Sequence, residues 1–371
     1  MSAAVELCLA RLGTVGFRNL EAGSLQFASG LNVIFGENGQ GKTSLIEAIY
    51  LLCTTRSFRT TKLSEVIQTD ALQARLKGSF ERGGLPWTLE AQISQRGRSF
   101  LKNGARPKER LLYVQSTPVV AFHPGDLLLI TGAAQLRRRL LDRIILHRQP
   151  GAIDAKRAFD EAAKKRLFVL EQRPKSRELE AFEAVMAENG ALLSGAREQA
   201  VIALEGRFSA IFTRLAREDL SMSIFFRPGG TTNVEDFRRR LEESRAIDQR
   251  RKMTTYGPER DELIVSLDGR PARAYGSQGQ QRMLALSLKL AELELIRESS
   301  LTCPILLLDD VSSELDRERT EAVFRFLGHE RNQVFVTTTR PELFADAGRI
   351  LESASRARAD FRVELGRISP L

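Results

Sequence analysis

Gly36-Glu37-Asn38-Gly39-Gln40-Gly41-Lys42-Thr43 is the stretch from which the rest of the chain is read. The apolar run Leu31 to Phe35 before it predicts a buried strand. Ser44 to Leu52 after it predicts a helix. Strand, G-x-x-x-x-G-K-T and helix together make a phosphate-binding loop in the context it requires. The glycines let successive backbone N–H groups turn toward one point, and the helix N-terminus adds partial positive charge. In such a loop Lys42 reaches the β- and γ-phosphates and the Thr43 hydroxyl ligates Mg²⁺. Gly36 to Thr43 are therefore the expected nucleotide-binding residues, with ATP and Mg²⁺ the expected ligands.

A phosphate loop needs acids opposite it. Ile305 to Leu308 is an apolar run, predicted as a buried strand, and it ends in Asp309-Asp310. Asp309 is the expected metal residue beside Thr43, acting directly or through water. Asp310 is expected to orient or deprotonate the attacking water, so that Asp310 and Lys42 carry the catalysis. Upstream, Ser277-Gln278-Gly279-Gln280 opens a long predicted helix running to about Glu298. A serine at a helix start, with a glycine nearby and the helix dipole, forms a second anion site. Ser313-Glu314-Leu315-Asp316 follows the acids, then a helix to about Leu327. The last predicted strand is Gln333 to Val336, with Thr337-Thr338-Thr339 at its end.

Before and between these pieces the pattern changes twice. Val5 to Thr14, Leu25 to Phe27, Ala74 to Phe80, Trp87 to Ile93 and Ser99 to Lys102 read as strands, largely antiparallel. Gly83-Gly84-Leu85-Pro86 and the hairpin signal Asn103-Gly104 break them. Leu111 to Ala121 reads as another strand, and Ala133 to Arg148 as a helix. From Ile153 to Arg245 apolar residues recur at helical spacing, with a break at Arg173-Pro174 and a short strand from Met222 to Phe226. Leu263 to Leu267 resumes the strands. Two basic stretches flank the nucleotide chemistry. Arg56 and Arg59 lie in the loop Thr55 to Thr60, and Arg137 and Arg138 lie on the helix from Ala133. All four are candidate DNA contacts; the loop pair could equally meet a nucleotide base or phosphate and the helix pair a phosphate, and the plain alternative is a solvated turn and a solvated helix face.

Bulk properties narrow the class. The 371 residues carry a net charge of +9 and a pI near 9.7, which admits a polyanionic partner without requiring one. Residues 150–245 hold 17 of the 56 basic and 16 of the 47 acidic side chains, so the positive excess lies on the nucleotide-binding parts. Cys8, Cys53 and Cys303 are an odd, scattered set. They argue against a disulfide framework or a zinc site and fit a reducing cytoplasm. No run has the length of a membrane span, and Met1 to Ala10 lacks the basic start of a signal peptide.

The order phosphate loop, Ser-Gln-Gly-Gln, acid pair, Ser-Glu-Leu-Asp resembles the ABC-type ATPases. The wide separation of loop and acids by a helical segment resembles their SMC-like DNA-repair branch. The arm is too short for SMC or Rad50, and it has no cysteine for a zinc hook. Phe17-Arg18-Asn19, Gly36 to Thr43, Thr55 to Thr60, Gly276 to Arg282, Leu307 to Asp316 and Thr337 to Thr339 are similar to the RecF family. The resemblance implies an α/β fold: an ABC-type phosphate-loop ATPase head with an antiparallel β subdomain and an inserted helical arm. The division is then 1–149 for the first part of the head, 150–245 for the arm and 246–371 for the second part. It implies that Ser277, Gln278, Gly279 and Gln280 act in trans on the γ-phosphate of a partner copy in an ATP-dependent homodimer. It further implies binding at single-strand/duplex junctions of gapped DNA and cooperation with RecR and RecO in loading RecA. Roles in replication and the SOS response are part of the same implication.

Two positions depart from the family pattern. Phe-x-Pro-Glu-Asp-Leu appears as Phe122-His123-Pro124-Gly125-Asp126-Leu127, and Gly-Pro-His-Arg-Asp as Gly257-Pro258-Glu259-Arg260-Asp261. Thr337 to Thr339 stand where many ABC ATPases have a switch histidine, which predicts slow hydrolysis, a timer rather than a metabolic activity. The competing reading is an ATPase driving transport, a motor or a processing enzyme. A transporter subunit should carry the switch histidine and take a membrane partner.

Overall fold

The computed structural model describes residues 4–173, 177–216, 220–310, 317–328, 331–344 and 357–371. In chain order, β1 (Leu7–Val15), β2 (Gly23–Gln26) and β3 (Leu31–Phe35) precede the phosphate loop and α1 (Lys42–Thr54). Then come β4 (Gln73–Arg82), β5 (Leu85–Ser94), β6 (Gly97–Lys102), α2 (Arg110–Gln115) and β7 (Val119–Phe122). Helices follow: α3 (Leu128–Thr131), α4 (Ala134–Arg148), α5 (Gly151–Gln172) and α6 (Glu178–Ala216). Next are β8 (Met222–Arg227), α7 (Val234–Arg251), β9 (Glu262–Leu267), β10 (Arg270–Pro271), α8 (Ala272–Tyr275) and α9 (Gln278–Ser300). The chain closes with β11 (Ile305–Leu308), α10 (Arg317–Gly328), β12 (Val334–Thr338), β13 (Arg358–Glu364) and β14 (Arg367–Pro370). Ser313 to Asp316 lie outside the described residues. No helix among the described residues is long and apolar enough to cross a membrane.

The chain forms two compact units. Unit 1 comprises residues 1–126, 214–217 and 296–371; unit 2 comprises 127–213 and 218–295. Unit 2 thus takes in most of the expected arm together with the helix before it and the Ser277 segment.

Unit 1 holds two sheets. One is antiparallel, in the order β2-β1-β4-β5-β6. β1 alternates buried and exposed side chains, as a half-buried antiparallel strand must, and its register shifts between Leu9 and Arg11 at a bulge. Gly83 and Gly84 both take positive φ and close the β4–β5 hairpin, the conformation that a two-residue turn needs. The other sheet runs β14-β13-β3-β12-β11-β7, with all neighbours parallel except the antiparallel edge strand β14. β11 and β12 are buried throughout and β3 at every residue but its last, which is why they read as largely apolar runs, with buried Asn32 the one polar residue of β3 and Thr337-Thr338 closing β12. α1 packs its apolar side chains into this core, with Leu45, Ile46, Ile49 and Leu52 fully buried. Each such side chain contributes roughly 1.5–3 kcal/mol.

Two readings of the sequence are corrected here. Leu111 to Ala121 is not one strand, because α2 occupies its first half and β7 its end. Leu111 and Tyr113 are buried, and the Tyr113 hydroxyl donates to the Leu52 carbonyl at 2.8 Å, anchoring this turn of helix to α1. Thr117-Pro118 then forces an extended chain. A short apolar run does not declare its own period, and tertiary contact decided it. The second correction is that β12 is not the last strand. β13 pairs with β3 and sits inside the sheet, and β14 returns beside it.

Unit 2 is built on α4 to α7 and the small sheet β10-β9-β8. Phe159, Met186, Phe237 and Leu241 from α5, α6 and α7 form its apolar cluster. A buried polar centre lies in the same helices. Arg166 is fully buried and donates to Glu183 (2.9 Å), Asp248 (2.6 Å) and the Leu241 carbonyl (2.7 Å). Arg197 likewise joins Asp142 and Asp261, both at 2.7 Å.

Candidate functional site

Parallel strands leave their carboxyl ends along one edge of the sheet, and ligands bind in the crevice outside that edge. Here β3 delivers the phosphate loop there, β11 delivers Asp309-Asp310, and β12 delivers Thr337. The cleft that results has a volume of about 600 Å³, within the range of small-molecule sites. Lys42, Thr43, Asp309 and Asp310 line it, together with Arg18, Asn19 and Arg59.

Two of the loop's glycines sit where a side chain would be crowded. A Cβ on Gly36 would lie 2.2 Å from the Val363 carbonyl oxygen, on β13. Gly41 has φ 123°, outside the range of ordinary side chains, and a Cβ there would lie 3.1 Å from Leu20. Among the described residues no side chain caps α1, so its first amides are available to an anion. Asn19 braces the loop, donating to the Gly39 carbonyl at 3.1 Å and accepting from the Ser44 hydroxyl at 2.7 Å. The turn between β13 and β14 braces it from the other side. Gly366 N donates to the Gln40 carbonyl at 2.8 Å and Leu365 N to the Gln40 side chain at 2.5 Å. Sequence reading missed this second brace. Its signal was the alternation Ala359, Phe361, Val363 ahead of Leu365-Gly366.

Lys42 Nζ donates to the carbonyls of Gly36 (2.6 Å) and Glu37 (2.9 Å), which holds the loop closed upon itself. Burial pushes its pKa down, against the opposing charges of Asp310, Asp309 and Glu37. Asp309 accepts from Thr43 Oγ1 (3.0 Å) and Thr337 Oγ1 (2.7 Å). Burial raises its pKa, and those two hydroxyls and the charge of His123 partly restore it. Each group is thus held in a surrounding that disfavours its charge until an opposite charge arrives. A cation would supply it for Asp309 and a phosphate for Lys42. Asp310 has φ 56° and its N–H donates to Thr337 Oγ1 at 2.8 Å, so one threonine fixes both acids. A hydroxyl and a carboxylate oxygen converging at 3.0 Å fit Mg²⁺, a hard cation taking oxygen ligands from one or two carboxylates and substrate phosphates.

Ser277 and Gln278 are exposed at the start of α9, in unit 2. Ser277 Oγ accepts from Gln280 N (3.2 Å), and Gln280 Oε1 accepts from Ser277 N (2.9 Å). That reciprocal pair is a capping box, and it fixes the serine at the positive end of the helix. The basic candidates divide. Arg56 is exposed and Arg59 borders the cleft. Arg137 is buried, with donors on Glu262 (2.8 Å) and on the Leu129 and Gly132 carbonyls (both 3.0 Å). It supports β9 and is not presented to DNA, which corrects its reading as a contact. Arg138 donates to the Asp261 carbonyl at 2.7 Å and is half-buried.

Fold and site together define an ABC-type, SMC-like ATPase head. Residues 8–359 match the RecF/RecN/SMC N terminal domain family. The DNA replication and repair protein RecF of Anaeromyxobacter sp. (strain Fw109-5) is 38% identical over 374 residues, spanning 98% of this chain and 99% of that protein. That of Halalkalibacterium halodurans is 34% identical over 341 residues, spanning 89% and 92%. The solved RecF-ATPrS structure of the RecFOR pathway superimposes with a TM-score of 0.87 at 27% identity, covering both chains fully. The RecF-ATP structure gives 0.87 at 28%, covering 99% of this chain and 100% of that one. The Smc head of Pyrococcus furiosus, at 17% identity and a TM-score of 0.57 over 98% and 96% of the two chains, shares the fold. The chain belongs to the RecF family.

Proposed function

We propose that this protein binds ATP and Mg²⁺ in the phosphate-loop cleft, pairs with a second copy, and closes on gapped DNA in recombinational repair and replication. The observation that carries this reading is the convergence of Lys42, Thr43, Asp309 and Thr337 in one cleft. Relatives solved as RecF-ATP and RecF-ATPrS support it. Mg²⁺, held by Thr43 and Asp309, would neutralise phosphate charge and align the β- and γ-phosphate oxygens. Lys42 exchanges its loop carbonyls for the phosphates. Asp310 positions the attacking water, and Thr337 holds both acids in register. A threonine cannot take a proton as a switch histidine does, so hydrolysis is slow and acts as a timer.

Ser277, Gln278, Gly279 and Gln280 present a capped helix end to the γ-phosphate bound by the partner copy. In this reading 1–149 and 246–371 work as one head and 150–245 as its arm. Arg56 and Arg138 contact DNA phosphates without reading sequence, and Arg59, which borders the cleft, meets phosphate there. Loading of RecA with RecR and RecO, support of the SOS response and a cytoplasmic site of action complete the proposal.

Sedimentation with and without Mg-ATP tests the pairing. The natural chain should form ATP-dependent dimers. Ser277→Arg should bind ATP as a monomer and form none, because a bulky cation displaces the helix end. Dimers of Ser277→Arg at natural affinity would sink the sandwich.

A further inference from the structure

Glu47 lies on α1, one turn beyond the phosphate loop, and is fully buried. A lone carboxylate there would be costly, so its partners carry the meaning. Arg18 seats two nitrogens on it, Nε at 2.9 Å and a terminal nitrogen at 2.7 Å. Its other terminal nitrogen donates to the Glu65 carbonyl at 2.7 Å. Ser57 Oγ donates to Glu47 at 2.5 Å. Arg59 makes one longer bond to Glu47, at 3.2 Å, and its side chain is 43% exposed against 18% for Arg18.

Both arginines border the nucleotide cleft, whereas Glu47 is not among the residues lining it. A guanidinium has five N–H groups, so Arg18 keeps one on each terminal nitrogen after its three bonds. Its backbone is also unusual, at φ 52°, a left-handed conformation that non-glycine residues seldom adopt. Such strain persists only where surrounding structure imposes it. The Arg18 N–H, bound to the Val66 carbonyl at 2.7 Å, belongs to that restraint. Two guanidiniums facing one cleft repel each other. A shared buried carboxylate holds both there before any ligand arrives.

We propose that Glu47 is a positioning residue for the triphosphate. It seats Arg18 permanently and Arg59 exchangeably at the mouth of the cleft, pre-organised for a polyanionic ligand. The inference rests on the ATP-binding reading above. Pre-organisation lowers the cost of binding, and it should act on charge. Glu47 therefore matters for ATP and not for adenosine.

Calorimetric titration of ATP and adenosine into the natural chain, Glu47→Gln, Arg18→Ala and the double variant tests this. ATP affinity of Glu47→Gln should fall about tenfold while adenosine affinity holds. Arg18→Ala in the Glu47→Gln background should add little, because both act through one contact. ATP affinity unchanged in Glu47→Gln, equal losses for ATP and adenosine, or fully independent effects in the double variant would overturn the proposal. Should Glu47→Gln not fold, Arg18→Lys keeps the charge but loses the two-pronged seat. The same ATP-selective loss is expected, and natural affinity would overturn the inference. If the natural chain itself takes no ATP, the nucleotide reading fails instead.

Discussion

Glu259 replaces the histidine of the related Gly-Pro-His-Arg-Asp pattern, and its setting is unusual for an acid. Both carboxylate oxygens are buried without a hydrogen bond to another of the described residues, and a Cβ on Gly257 would lie 2.5 Å from one of them. Burial pushes its pKa up to about 7. A carboxyl raised in the folded state binds its proton more tightly there than in the unfolded chain. Its contribution to stability is therefore lost as pH rises from about 4.5 through 7. Glu259→Gln should leave stability unchanged near pH 4.5 and raise it by up to ~3 kcal/mol at pH 8. Urea denaturation at both values reads this, and an equal gain at both would refute the assignment. The other departure has a geometric consequence. Gly125 N donates to His123 Nδ1 at 3.1 Å, and the His123 ring stacks on Phe58 at 4.6 Å. A Cβ at Gly125 would lie 2.8 Å from that ring, so the glycine makes room for the stack.

At the scale of elements, the helices of unit 2 are tied by charge as well as by apolar packing. Arg166→Met should destabilise the protein by about 3–5 kcal/mol in urea, because Glu183 and Asp248 lose a buried partner. A loss below about 1 kcal/mol would mean that Arg245 on Glu183, with Ser244 and Thr255 on Asp248, suffices. Elements with one strong period were legible in the sequence. β3, β11 and β12 are largely apolar runs, and α1 follows a glycine loop with a fixed grammar. β13 was missed, since only Phe361 and Val363 of its seven residues are buried and four of the other five are charged, which masks the alternation that Ala359 begins. The short helix α2 (Arg110–Gln115) owes its form to Tyr113 and Leu52, which are far apart in sequence. Within the site, motif spacing pointed to Lys42, Thr43, Asp309 and Asp310. Glu47 reads as one more residue of a helix, and only three-dimensional contact shows Arg18 and Arg59 gathered on it. Arg137 failed as a DNA contact for the converse reason, since a basic residue in sequence does not say which carboxylate it faces.

Over the whole molecule, 39 of the 56 basic residues lie outside 150–245, against 31 of the 47 acidic ones. A positive excess on the nucleotide-binding parts suits a partner recognised through phosphates, and such binding weakens steeply with salt. In the proposed function ATP gates this contact, and sedimentation of the protein with a gapped duplex, without nucleotide, with ADP and with Mg-ATP, is the deciding measurement. A dimer on the DNA that forms only with ATP, and that higher salt dissolves, is the expected result. A chain that binds ATP yet sediments as a DNA-free monomer in all three conditions would contradict it.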